Sequence, residues 1–149
     1  MRAPNLPAMN IKTLSDSYAV SPQITPDDLA TIKAEGFTTV INNRPDEEIA
    51  SELQDAAMRA AVEAAGLTYV VNPVRHSGMT ADNLSMQKDG MTAGKVLAYC
   101  ASGNRCAIVW SLIMAPQLGA DGVLSATRAV GYDHSAFRPQ FEAAAQTAG

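Results

Sequence analysis

Val96-Leu97-Ala98-Tyr99-Cys100-Ala101-Ser102-Gly103-Asn104-Arg105 sets an apolar run, a small polar loop and a basic residue in immediate succession. A short apolar run of this kind has the length and character of a strand buried on both faces, as parallel sheets contain. It delivers Cys100 to a sheet edge. Gly103 permits a tight turn there, and Arg105 opens an apolar helix through Ile108, Val109, Leu112 and Ile113 that is predicted to end near Leu118. Inward-facing amides at a helix N-terminus make a cradle for an anion, and a guanidinium can clamp that anion through two nitrogens. The same field stabilises a thiolate. Cys100 is therefore the expected nucleophile, Arg105 its catalytic partner, and Ala101, Ser102, Gly103 and Asn104 the anion-binding loop.

Upstream of this segment, strands and helices alternate. A short strand is predicted at 17–20. Thr25-Pro26-Asp27-Asp28 supplies an N-cap, a proline at the first helical position and two acids where the helix dipole favours them, so a helix should run to Glu35 and stop at Gly36. Residues 37–41 are β-branched and apolar, and they lead into the polar turn Asn42-Asn43-Arg44-Pro45-Asp46. Helical spacing of Leu53, Ala56, Ala57, Ala60, Ala61 and Ala64 predicts a helix over 51–65, followed by a strand at 67–71, a loop at 73–79 and a helix over 80–88. Further helices should begin at Asp121 and Ser135. The expected fold is α/β: a three-layer, mainly parallel sheet flanked by helices, forming one domain over 14–149 behind an N-terminal arm at 1–13. Such sheets bind ligands beyond the carboxyl ends of their strands, where residues 43–46, 73–79 and 100–105 converge.

Composition narrows the partners. A chain of 149 residues can bury one sizeable core, removing roughly 70% of its unfolded surface from water. With 47% apolar and 17% charged residues it reads as an ordinary globular protein. A net charge of -4 offers no broad basic field, so neither nucleic acid nor an anionic membrane is an expected partner. No apolar stretch is read as reaching the roughly 18 residues of a membrane span, no secretory start is seen, and the expected compartment is the cytoplasm. Two cysteines without histidines at ligand spacing predict neither a disulfide framework nor a metal site, and no cofactor is expected.

Four residues near the loop are candidate substrate contacts. Arg44 and Asp46 either line the site or hold their own turn. His76 either donates a proton or is simply solvated. Cys106 is either a resolving thiol or a small residue packed under the loop. His134 is read as part of a helix start and not as a metal ligand.

The segments Tyr18-Ala19-Val20-Ser21-Pro22-Gln23-Ile24-Thr25, Ile41-Asn42-Asn43-Arg44-Pro45-Asp46 and Val96-Leu97-Ala98-Tyr99-Cys100, with Ser102, Gly103 and Arg105, resemble the bacterial beta-lactamase hydrolase-like protein, phosphatase-like domain family. The resemblance runs over about 14–141. It implies a fold similar to the dual-specificity protein tyrosine phosphatases and activity as a phosphatase-like hydrolase or a sulfurtransferase. Members occur alone or fused to a metallo-β-lactamase-fold persulfide dioxygenase, which implies such an enzyme as a partner.

Tyrosine phosphatases place one more residue between Cys and Arg than this loop, whose four-residue interval is similar to that of rhodanese-type sulfurtransferases. Dual-specificity phosphatases also keep an acid Asp after a Pro in the loop leaving the preceding strand, and in Pro73-Val74-Arg75-His76 that place falls on His76. Sulfite and thiolates are good leaving groups and need no such acid. The first expectation is therefore a sulfurtransferase that takes a small anionic or sulfane-sulfur substrate, carries the sulfur as a Cys100 persulfide and passes it to glutathione or a protein thiol. The alternative is a cysteine-dependent phosphatase forming a phosphocysteine. A second alternative is a non-catalytic anion-binding or redox module using Cys100 and Cys106.

Overall fold

Five short strands form a single sheet in the computed structural model, which describes residues 9–146. They are β1 (Lys12–Ser15), β2 (Tyr18–Ser21), β3 (Thr39–Asn42), β4 (Thr68–Val71) and β5 (Val96–Tyr99), in the order β1-β2-β5-β3-β4. The last four run parallel to their neighbours, and β1 pairs antiparallel with β2. The sheet is thus mixed, with one antiparallel edge. β1 falls where the sequence predicts the end of an arm; Lys12-Thr13-Leu14-Ser15 is a half-exposed edge strand without the apolar character that marks the others. The arm's residues 1–8 lie outside the described residues.

Register places the site. Ser21 and Asn42 both pair with Tyr99, and Asn42 also pairs with Val71, so β2, β3, β4 and β5 end level with one another. The residues that follow, Pro22, Asn43, Asn72 and Cys100, all leave from this common edge.

Side chains alternate across the strands and build two cores. On one face Tyr18, Val20, Ile41, Val96 and Ala98 pack against α4 (Asn104–Ala129) and α5 (Arg138–Gln146) through Ala107, Trp110, Val123, Leu124 and Phe141. On the other, Ala19, Val40, Leu97 and Tyr99 meet α1 (Leu29–Ala34) and α2 (Asp55–Ala64) through Leu29, Ile32, Met58 and Val62. Burying each large aliphatic or aromatic side chain contributes about 1.5–3 kcal/mol, so the alternation within β5 ties both layers to the strand that carries Cys100. α3 (Ala81–Gly90) starts with a reciprocal cap, Thr80 Oγ1 accepting from the Asn83 amide at 3.1 Å and Asn83 Oδ1 accepting from the Thr80 amide at 3.0 Å.

The predicted break near Leu118 is present within α4. Gly119, three residues after Pro116, adopts φ 74° and ψ 167° and separates two helical stretches. By length and apolarity α4 does match a membrane span, which corrects the reading that no segment does. Half of its apolar window is buried, and one face of the sheet packs on it, so here it serves as a core helix.

Candidate active site

β5 ends at Tyr99, and Cys100 lies fully buried at the base of the following loop. The Gly103 amide donates to Cys100 Sγ at 3.1 Å, and the Asn104 amide donates to Ser102 Oγ at 3.3 Å. Gly103 has φ 88°, and a Cβ there would collide with the Tyr132 hydroxyl and sit 3.3 Å from the Ser21 carbonyl oxygen. Only glycine fits. The Cys100 thiol is pulled from 9.0 down to about 5. The Cys106 thiol is the largest cause; burial opposes it, and the backbone amides of Cys106, Ser102 and Arg105 add to the lowering. Near neutral pH Cys100 is a thiolate, the nucleophilic form.

Arg105, on the first turn of α4, is buried beside it. Its Nη1 donates to Glu48 Oε2 and to the Val74 carbonyl, both at 2.8 Å, and its Nη2 donates to Glu48 Oε1 at 2.8 Å. This two-pronged pair uses one edge of the guanidinium. The other edge, Nε–H and the second Nη2 hydrogen, has no hydrogen-bond partner among the described residues, which leaves the geometry that grips an oxyanion through two nitrogens. The Arg105 hydrogen bonds hold the Glu48 carboxyl below its ordinary range; burial opposes them, and the charges of Arg105 and His76 assist. Glu48 is an ionised anchor and not a proton donor.

Glu48 gives a pH prediction with a definite sign. Because its folded pKa lies below the ordinary 4.5, the pair's stabilisation is present above that value and is lost as pH falls through the folded pKa. Thermal melts between pH 7 and pH 3 are expected to show the native chain losing Tm more steeply below about pH 4.5 than Glu48→Gln, which has no carboxylate to protonate. Parallel profiles would remove Glu48 from this role.

The other sequence candidates divide. Arg44 sits behind Glu48, with Nη2 donating to the Glu48 carbonyl at 3.0 Å and Nη1 to Gln23 Oε1 at 3.2 Å. Asp46 has a structural role: its Oδ1 accepts the Asp55 amide at 2.8 Å, so its carboxylate caps the start of α2. His76 is exposed on the loop after β4, close enough for its charge to act on Glu48. Cys106 is buried beneath the loop, where its thiol faces Cys100. His134 does precede a short 3-10 turn, Ser135–Phe137, but it is also buried, with Nε2 2.6 Å from Asn104 Oδ1. Among the described residues no cluster of three or more His, Cys, Asp or Glu side chains offers a metal site.

Residues 10–117 match the beta-lactamase hydrolase-like protein, phosphatase-like domain family. The chain belongs to that family. It is 31% identical over 129 residues to a beta-lactamase hydrolase-like protein of Xylella fastidiosa strain Temecula1, an alignment that covers 84% of this chain and 30% of the relative. This phosphatase-like chain thus spans under a third of the longer relatives it matches. A provisionally named phosphatase of Neisseria meningitidis has a similar structure, with TM-score 0.78, 30% identity and coverage of 92% of this chain and 99% of that one. Kinase-associated phosphatase, 11% identical, shares the fold at TM-score 0.71 over 97% of this chain and 99% of its own. The site therefore lies on a phosphatase-like, cysteine-based fold.

Sequence reasoning missed the amide network beneath this phosphatase-like site. Gln87 of α3 is fully buried; its Oε1 accepts from Asn43 and Asn72, and its Nε2 donates to Asn43 Oδ1 and to the Tyr18 hydroxyl. Tyr18 in turn donates to the Cys106 carbonyl at 3.0 Å. The network ties the loops after β3 and β4 to the helix turn carrying Arg105, and it satisfies polar groups whose burial would otherwise be costly. The only sequence signal for it is the run of amide residues at strand ends, Asn42, Asn43 and Asn72.

Proposed function

We propose that the chain is a cysteine-dependent phosphatase acting on phosphate monoesters with good leaving groups. The observation that carries this reading is the unpartnered edge of the Arg105 guanidinium beside a thiolate, on a phosphatase-like fold. Two phosphoryl oxygens bind Nε and Nη2 of Arg105, and the amides of the 101–104 loop face the remaining charge. The Cys100 thiolate attacks phosphorus, forming the S–P bond as the P–O bond to the leaving group breaks. The aryloxide leaves with the bonding pair and is protonated by solvent. Water then attacks the phosphocysteine, returning the thiolate and releasing phosphate.

Glu48 is held ionised by Arg105 and donates no proton, which restricts the substrate to esters whose leaving group is stable as an anion. Phosphate release from aryl phosphates is the expected result, with alkyl phosphates turned over far more slowly. Absence of release across an aryl phosphate panel, with the protein folded, overturns the reading.

A second reading, sulfur transfer, is supported by the four-residue interval between Cys100 and Arg105. There the thiolate would attack a sulfane sulfur, carry it as a persulfide and yield it to a thiol acceptor, with a persulfide dioxygenase as partner. No relative reported above supports sulfur over phosphate, so phosphate is placed first.

A further inference from the structure

Residues 131–137 lie beyond the matched segment 10–117, yet they return to the anion loop. The Tyr132 hydroxyl donates to the Ser102 carbonyl at 2.8 Å, and His134 Nε2 meets Asn104 Oδ1 at 2.6 Å. Between these two anchors sits Gly103, whose amide faces Cys100 Sγ. The Ser102 carbonyl and the Gly103 N–H belong to one trans peptide unit, so they point in opposite directions. Fixing the oxygen outward on Tyr132 directs the hydrogen inward to the sulfur. The reversed plane would turn a carbonyl dipole toward the thiolate.

We propose that Tyr132 is a positioning residue: its hydroxyl locks the Ser102–Gly103 peptide plane so that the Gly103 N–H faces Cys100, while His134 holds Asn104 in the same frame. The proposal rests on the thiolate reading of Cys100 given above. Tyr132 is itself held in place. Its ring stacks on His134 at 5.7 Å between centroids with planes 17° apart, and Lys12 Nζ lies over the Tyr132 ring, 4.4 Å from its centroid. Burial first, then the charge at Cys100, pushes its hydroxyl up to about 12, so it stays a donor. His134 Nδ1 is buried without a partner, and burial lowers the imidazole's pKa, which leaves the neutral ring donating from Nε2 to Asn104.

The test is the pH dependence of iodoacetamide alkylation at Cys100, resolved from Cys106 by peptide mass spectrometry, on the full folded chain. The titratable groups acting on Cys100 include Cys106 and Arg105 on α4, Tyr18 on β2, and Tyr132; Tyr132→Phe alters only the last. That variant is expected to raise the alkylation midpoint by about one pH unit, the effect of losing one hydrogen bond's influence on the thiolate. His134→Ala should move it the same way, and His134→Gln, which retains an N–H donor, should move it back. A low native midpoint left unchanged by Tyr132→Phe overturns the brace alone. A native midpoint in the ordinary thiol range overturns the thiolate reading and the brace with it.

Discussion

Cys100→Ser is expected to lower aryl phosphate turnover by roughly a thousandfold or more while the chain stays folded. A serine hydroxyl is not ionised near neutral pH, and nothing in the loop is built to take its proton. The Gly103 amide that meets Sγ at 3.1 Å stabilises an existing anion and cannot act as a base. Cys106 offers no rescue, because its burial, the largest cause of its raised thiol pKa, remains in the variant and keeps it protonated. The variant keeps Arg105 and the loop amides, so it should still bind phosphate. Steady-state phosphate release and calorimetric phosphate binding separate the two effects. Turnover retained in Cys100→Ser would remove the nucleophile from the account.

Arg105→Ala should affect both rate and stability. The rate loss is about a hundredfold to a thousandfold, as when one preorganised oxyanion-stabilising donor is removed. Stability falls by about 1–3 kcal/mol, because Glu48 and the Val74 carbonyl lose donors at 2.8 Å and Glu48, mostly buried, keeps only the longer 3.4 Å pair with Arg44 Nε. Arg105→Lys is not expected to restore activity, since an ammonium cannot serve Glu48 with one edge and an oxyanion with the other. The double variant Arg105→Ala/Glu48→Gln divides the roles: denaturant unfolding should recover part of the lost stability, and phosphate release should stay low. Recovery of both would mean that Arg105 acts only as a structural ion pair.

Much of this site could be read from one strand and one turn. Val96–Tyr99 was recognisable because burial on both faces demands an unbroken apolar run, and Gly103 because the turn needs a positive φ. Their consequences, Cys100 at the sheet edge and Arg105 at the start of α4, followed from strand and helix geometry. Glu48 carried no such signal. It sits in the acidic run Asp46-Glu47-Glu48, which resembles a solvated turn, and its partner lies 57 residues away. Asp46 and Glu48 differ only in where the 3-10 turn at Asp46–Glu48 aims them, one onto α2 and the other onto Arg105.

His134 was legible as part of a helix start. Its bond to Asn104 depends on how the connection between α4 and α5 folds back over the loop, which no local pattern encodes. The strand at Lys12–Ser15 was lost because an edge strand need not be apolar. The preference for sulfur came from a loop one residue short of the phosphatase pattern. Loop length is a weak discriminator beside the family match and the phosphatase-like structural relatives.

The central claim is that Cys100 takes a phosphoryl group, and rapid-quench mass spectrometry of the Cys100 peptide during turnover of an aryl phosphate tests it most directly. The account predicts the mass of one phosphoryl group on Cys100, absent in Cys100→Ser. A Cys100 that stays unmodified with aryl phosphates but gains the mass of one sulfur atom from thiosulfate would contradict it.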